Sequence, residues 1–248
     1  MLPQVRAAAL TNYVEVARFC GLDPYEMLRR ARINPAVLAD PEHLISRTAG
    51  AQLLEDSAEA SGCQSFGLLM AVARPLSTLG ALSLLVIHQS TARGVAEAIA
   101  QYQNMLGEAH AISLTEEGGL AIIHAGFTTG IGSRQAIDLL LGVVCRTISE
   151  VVGGRWHPES AHFINQPIDD LSVHRRVFQC PLVFGSDFNG LACPSARLDT
   201  PNPAAESTMA RHAKRYLDML IPAPADGTIA ERARRSVYLP LPSGRASL

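Results

Sequence analysis

Apolar side chains recur at helical spacing through the first hundred positions and at alternate positions afterwards, so the pattern predicts a helical opening followed by a mixed section. Residues 5–20 read as one amphipathic helix stopped by Gly21, and Pro24 opens a second helix running to Arg32. Asn34-Pro35 and Asp40-Pro41 break the chain before helices at 47–60, Phe66–Val72, 79–87 and 92–106. The helix at 79–87 is almost wholly apolar and should be buried. The one at 92–106 has Thr91 as N-cap and a stripe of Val95, Ile99, Tyr102 and Leu106.

Alternation takes over at 109–114 and Leu120–Phe127, on either side of Glu117-Gly118-Gly119, and marks a hairpin. Ser133 caps a predicted helix over 134–152, whose Ile137, Leu141, Val144, Ile148 and Val151 share one face until Gly153-Gly154 ends it. A strand at 161–164 and a helix at 170–178 follow, then strands Leu182–Phe184 and 191–193 flanking the turn dipeptide Asn189-Gly190. A last helix at 203–220 is expected to turn Met209, His212 or Ala213, Tyr216 and Leu220 inward. The fold class predicted is α+β, a mainly helical N-terminal part (1–106) packed with a small, predominantly antiparallel sheet built from two helix-plus-strand sections (107–222).

Composition narrows the function classes. The 248 residues are 48% hydrophobic and 18% charged, which excludes a disordered tail or coiled coil, and the net charge of −2 disfavours nucleic-acid binding by the chain as a whole. The longest uncharged central stretch, 75–92, contains Ser, Thr, Gly, His and Gln, so no membrane span is expected; the opening residues lack a secretory signal, which points to the cytoplasm. Five cysteines without a Cys-x-x-Cys pair read as reduced, mostly buried thiols. The stiff, Pro-rich stretch at 221–227 reads as a linker. Residues 228–248 carry four arginines against Glu231, a net +3 that leaves −5 on the rest, and are too few to bury a core. Residues 223–248 are therefore expected to be a linker and basic helix leading into a further domain.

Five segments stand in a telling order: Phe66-Gly-Leu-Leu-Met70, Leu79-Gly-Ala-Leu-Ser-Leu-Leu85, Ser90-Thr91 with the helix to Tyr102, Cys180-Pro-Leu-Val-Phe184 and Asn189-Gly-Leu191. In that order they resemble the N-terminal effector domain of AraC/XylS-type transcription regulators, in the α+β subgroup and not the cupin barrel. Leu239-Pro-Leu-Pro-Ser-Gly-Arg-Ala-Ser-Leu248 looks like the lead-in to that family's first helix-turn-helix, and the two such motifs that would follow are absent from this sequence. The resemblance implies a non-enzymatic sensor that binds a small organic effector, forms a homodimer, and reaches DNA only through a C-terminal domain missing here.

Candidate chemistry is sparse. The loop Gly126-Phe-Thr-Thr-Gly-Ile-Gly132-Ser133-Arg134 could offer amide donors and Arg134 to an effector's carboxylate, although a plain connection with an N-cap serine is the simpler reading. An effector pocket is expected between helices 79–87 and 92–106 and the sheet, with His88, Tyr102, Met105, His124 and Phe127 as further ligand-binding candidates. Arg74 is expected to be a surface salt-bridge partner. His157, His162 and His174 lack metal-ligand spacing, so neither metal nor cofactor is expected. The alternatives are a thiol or metal hydrolase using Cys180 with that histidine group, or a pure dimerisation module without a ligand.

Overall fold

The computed structural model describes residues 4–107, 110–128 and 133–220. The expected linker and basic segment at 223–248 lie outside the described residues. The architecture is α+β, as the periodicities predict, with one cluster of buried apolar side chains reaching from Val5 to Leu217.

The opening differs from the sequence expectation. Residues 5–20 are not one helix: β1 (Gln4–Arg6) pairs antiparallel with β2 (Leu44–Ser46), a 3₁₀ turn covers Ala7–Leu10, and α1 (Tyr13–Phe19) is a separate short helix. The cause is tertiary. Backbone donors that would start a helix are taken by the returning chain, Ala7 N–H by the His43 carbonyl at 2.7 Å and Ala8 N–H by that of Pro41 at 2.9 Å. Asn12, at φ +64°, then turns the chain and donates its side-chain amide to the Ala73 carbonyl at 2.7 Å.

The next helices have the caps their sequences offer. α2 (Pro24–Arg30) begins with Asp23 accepting from the Tyr25 and Glu26 amides, and α3 (Arg47–Ser61) has Ser46 at its N-cap and Gly62 in the left-handed region at its end. α4 (Phe66–Val72) crosses α7 (Arg134–Val151), the long central helix, at very close range. A Cβ on Gly67 would sit 2.0 Å from the Gln135 carbonyl oxygen, and one on Gly142 2.6 Å from Leu68 Cδ1. Two glycines on facing helices therefore set the depth of this crossing. Arg146 on α7 donates to the Ala71 carbonyl at 2.5 Å and to that of Val72, which satisfies the open C-terminus of α4.

The expected helix 79–87 is shorter. A 3₁₀ turn spans Leu76–Leu79, Gly80 takes φ +62°, and α5 covers only Leu82–Val86. Gly80 leaves room for Arg6, whose Nη2 would lie 2.7 Å from a Cβ there. α6 (Ala92–Tyr102) is capped by Thr91 and passes into a 3₁₀ turn at Gln103–Met105.

The hairpin forms as predicted, β3 (His110–Glu117) against β4 (Leu120–Phe127), joined by Gly118 and Gly119, both at positive φ. The remaining strands are β5 (Ser160–Phe163), β6 (Leu182–Phe184) and β7 (Gly190–Pro194), with α8 (Ser172–Phe178) between β5 and β6. Sheet order is β3-β4-β7-β5-β6, antiparallel throughout except for the parallel pair β5·β6. Asn189-Gly190 is consequently not a turn between two paired strands, because β7 leaves β6 and inserts between β4 and β5. Asn189 Oδ1 instead accepts from the Ile164 amide at 2.8 Å, and Gly190 admits the neighbouring strand, its Cβ position lying 2.8 Å from the Ile123 carbonyl oxygen.

α9 (Ser207–Leu220) turns inward only part of the expected face, at Ala213. Ala213 and Leu217 are buried, whereas Met209, Tyr216 and Leu220 are each more than two-fifths exposed. It is tied to α6 by Tyr102, whose hydroxyl donates to Asp218 at 2.6 Å and accepts from Lys214 at 3.0 Å.

Candidate functional site

A cavity of about 110 Å³ lies between the N-terminal segment, the start of α3 and the start of α7. Both helices present the same one-sided spacing to it, Arg47, Gly50, Ala51 and Leu54 from α3, and Ala136, Leu139, Leu140 and Val143 from α7. The small side chains on α3 leave the space; Val5, Ala8, Ala9, Leu10, Ile45, Leu79, Leu106 and Phe127 close the rest of an apolar wall.

The polar groups on that wall are few, and three are arginines. Arg6 is neutralised: its Nε donates to Glu42 Oε2 at 2.8 Å, and Glu42 also receives its Nη2. Arg47 lies over the Phe127 ring, 5.5 Å from its centroid, in cation–π range. His110 also packs against Phe127, its ring tilted and 5.5 Å away between centroids, with Nδ1 3.1 Å from the Gly107 carbonyl. Burial pushes the His110 pKa below its ordinary value, and the Arg47 charge acts in the same direction.

Arg74 departs from expectation. It is not a surface salt-bridge partner: among the described residues no carboxylate pairs with it, and its Nη2 donates instead to the Ala9 carbonyl at 2.6 Å. Its Nε is buried without a hydrogen-bond partner, and desolvation lowers its pKa to about 10, which still leaves it cationic at neutral pH. The sequence did carry a signal for it, since Arg74 is the sole Asp, Glu, Lys or Arg between Glu59 and Arg93.

Of the sequence-predicted ligand contacts, Phe127 lines the cavity. The other five do not reach it, because the cavity lies beyond the ends of helices 79–87 and 92–106, where Leu79 and Leu106 close it, and not between those helices and the sheet. Strand parity separates His124 from Phe127: Ile123 and Ala125 face the core, while His124 points the other way, to Thr115 Oγ1 at 3.0 Å and the Phe188 ring at 5.2 Å. Tyr102 spends its hydroxyl on α9, and Met105 contributes a carbonyl to Arg6 at 3.4 Å. His88 follows α5 with a buried Nδ1 that has no partner. Arg134 is the first residue of α7, and its neighbour Ser133, not Arg134, lines the cavity. Residues 129–132 of the glycine-rich loop lie outside the described residues.

The hydrolase alternative gains nothing from the geometry. His174 does not meet Cys180 but pairs through Nε2 with Asp138 at 3.2 Å, both buried, in a cage of Phe163, Phe178 and Phe184. Burial pushes the Cys180 thiol up to about 11, opposite to what a nucleophile needs. His162 stacks on Phe188 and bonds to Ser160, away from both. Among the described residues no group of three or more His, Cys, Asp or Glu could hold a metal ion, and no helix is long and apolar enough to cross a membrane.

Comparison with known proteins supplies the family. The HTH-type transcriptional regulator VirS of Mycobacterium tuberculosis, in strains CDC 1551 / Oshkosh and ATCC 25618 / H37Rv, is 25% identical over 247 residues, covering 98% of this chain and 72% of the relative. The crystal structure of the transcriptional regulator CdpR from Pseudomonas aeruginosa superposes with a TM-score of 0.54 at 14% identity, over 86% of this chain. The chain spans 63% of that structure, and the likeness concerns the fold. The family described as the arabinose-binding domain of AraC transcription regulators, N-terminal, matches residues 21–202, from the loop before α2 through β7, including the α3 and α7 walls of the cavity. With most of its length matched and the α+β architecture in place, this chain belongs to the family of N-terminal arabinose-binding domains of AraC transcription regulators.

Proposed function

We propose that this chain is the effector-sensing part of a cytoplasmic transcription regulator, and that the cavity between β1, α3 and α7 takes a small hydrophobic or amphipathic metabolite. The observation that carries the reading is the cavity itself, apolar over most of its wall, with its polar groups confined to a few positions. A free sugar fits it poorly, since each ring hydroxyl needs a partner and burying one without costs roughly 1–3 kcal/mol. The effector acts by binding two conformations unequally, which changes the geometry of a homodimer or the pose of residues beyond α9, and so DNA binding by a C-terminal domain. The exposed Met209, Tyr216 and Leu220 on one face of α9 support a dimer.

A thermal-shift screen against fatty acids, amino acids, aromatic acids and sugars, with calorimetry on hits, tests this, because a ligand of the folded state raises stability by mass action. A saturable hit abolished by Gly50→Leu, which fills the cavity from α3, is the expected result. A flat response to the whole panel, with a folded dimer, would replace sensing by the pure dimerisation reading.

A further inference from the structure

We infer that the effector is a small monocarboxylate and that Arg74 is the side chain that holds its carboxylate. This inference rests on the sensing role proposed above and names the ligand class for that same cavity.

The Arg74 guanidinium carries a charge whose Nε is withdrawn from water. A desolvated guanidinium is costly unless an anion or a full set of acceptors replaces its hydration. Arg6, on the same wall, has that compensation in Glu42. Arg74 has carbonyl contacts only, Ala9 at 2.6 Å and Thr11 at 3.4 Å, both through Nη2, and its buried Nε donates to nothing. An arginine presents its donors in a fixed fork, and with Nη2 turned to the Ala9 carbonyl the Nε of Arg74 is left without an acceptor.

Its backbone is fixed as well. Arg74 follows the last turn of α4, where Arg146 holds the Ala71 carbonyl at 2.5 Å and approaches that of Arg74 at 3.4 Å. The cation is thus placed by the crossing of α4 and α7 and does not float on a surface loop. No Asp or Glu stands among the described lining residues, so an incoming carboxylate meets no like charge there.

The rest of the wall sets the ligand's body. Gly50, Ala51, Leu54, Leu139 and Val143 offer no hydrogen bonds, and 110 Å³ is somewhat less than the engineered apolar cavity of about 150 Å³ that admits benzene. One ring or a short branched chain fills that space. The chemistry is therefore one carboxylate on a compact apolar body.

Calorimetric titration of the 248-residue chain with matched probes tests this: phenylacetate against phenylacetamide and 2-phenylethanol, and 4-methylpentanoate against 4-methylpentanol. Carboxylates are expected to bind at least tenfold tighter than their neutral partners, as charge-assisted hydrogen bonds require. Arg74→Gln should erase that preference while leaving the weak affinity for the neutral probes unchanged, and Arg74→Lys should keep part of it. Where Arg74→Gln fails to fold, the wild-type comparison still decides the carboxylate assignment, and Arg74→Lys, with its partial preference, decides the role of Arg74. Neutral probes binding as tightly as the acids, or a carboxylate preference surviving in Arg74→Gln, would overturn the role of Arg74 and leave sensing intact. No binding in either series would also overturn the carboxylate assignment, and sensing then stands or falls on the broader screen.

Discussion

Gly67→Ala is the sharpest test of how the core is built. Replacing a helical glycine with alanine ordinarily stabilises by about 0.5–1 kcal/mol, because alanine has less backbone freedom to lose. At Gly67 the new methyl would lie 2.0 Å from the Gln135 carbonyl oxygen and 2.8 Å from its carbon, both backbone atoms that no rotamer change can move. Ordinary contact begins near 3.4 Å, so α4 and α7 must separate locally by about 1.4 Å. Overpacking of this kind costs about 1–3 kcal/mol, and the unyielding neighbour puts the site at the upper end. Separation also stretches the bond from the Gly67 amide to Gln135 Oε1, now 2.8 Å, which is worth about 1 kcal/mol. Set against the helix gain, the net loss is about 3 kcal/mol, or a fall of roughly 6–12 °C in melting temperature for a domain of this size. Gly50→Ala is the control. Its methyl meets only Ile45 Cδ1, at 3.6 Å, so the same substitution one helix away should raise stability by up to about 1 kcal/mol. Calorimetric melting of both variants reads the difference. A Gly67→Ala protein melting at or above the wild type would refute the reasoning, since the interhelical approach could not then be as close as described.

Three further outcomes follow from groups already placed. Asp138→Ala should destabilise by about 1–3 kcal/mol, because it leaves the buried His174 Nε2 without its hydrogen-bond partner; a denaturant midpoint unchanged from wild type would show that the pair is not buried as described. Burial holds the pKa of His110, His124 and His162 below the ordinary 6.5, so the unfolded chain takes up protons first as pH falls. Their contribution to stability is complete above about pH 6.5 and is lost progressively below it; a melting temperature that is flat or rising between pH 7 and 5.5 contradicts this. Tyr102→Phe removes the tie to Asp218 and Lys214 and should cost only about 1 kcal/mol overall while speeding amide exchange in α9, and equal exchange in both proteins would show that the tie does not hold that helix.

The sequence disclosed elements wherever local chemistry decides the outcome. Asp23, Ser46, Thr91 and Ser133 each cap the helix they precede, and Gly118-Gly119 sits at the tip of a true hairpin. It misled where a distant partner decides. Nothing between Val5 and Leu10 announces that its amides bond to residues 41 and 43, and Asn189-Gly190 has turn composition but serves an inserted strand. The ligand candidates shared this weakness. Polar residues on apolar elements were the right kind of signal, yet strand parity sent His124 to the outer face and α9 took up Tyr102. The cavity's own polar groups come from six separate places, β1, α3, the chain after α4, the 3₁₀ turn at Leu76–Leu79, β3 and the start of α7, a convergence that no spacing within one segment encodes.

The ribbon of β1 and β2 has only three residues in each strand, too little to hold together alone in water. What keeps it in place is that Val5, Arg6 and Ile45 form part of the cavity wall. Residues 5–10 are therefore one side of a container, and their docking and the container's contents belong to a single equilibrium. By reciprocity, any molecule that binds the closed container tightens this segment, and any change that loosens the segment weakens that molecule's grip by the same factor.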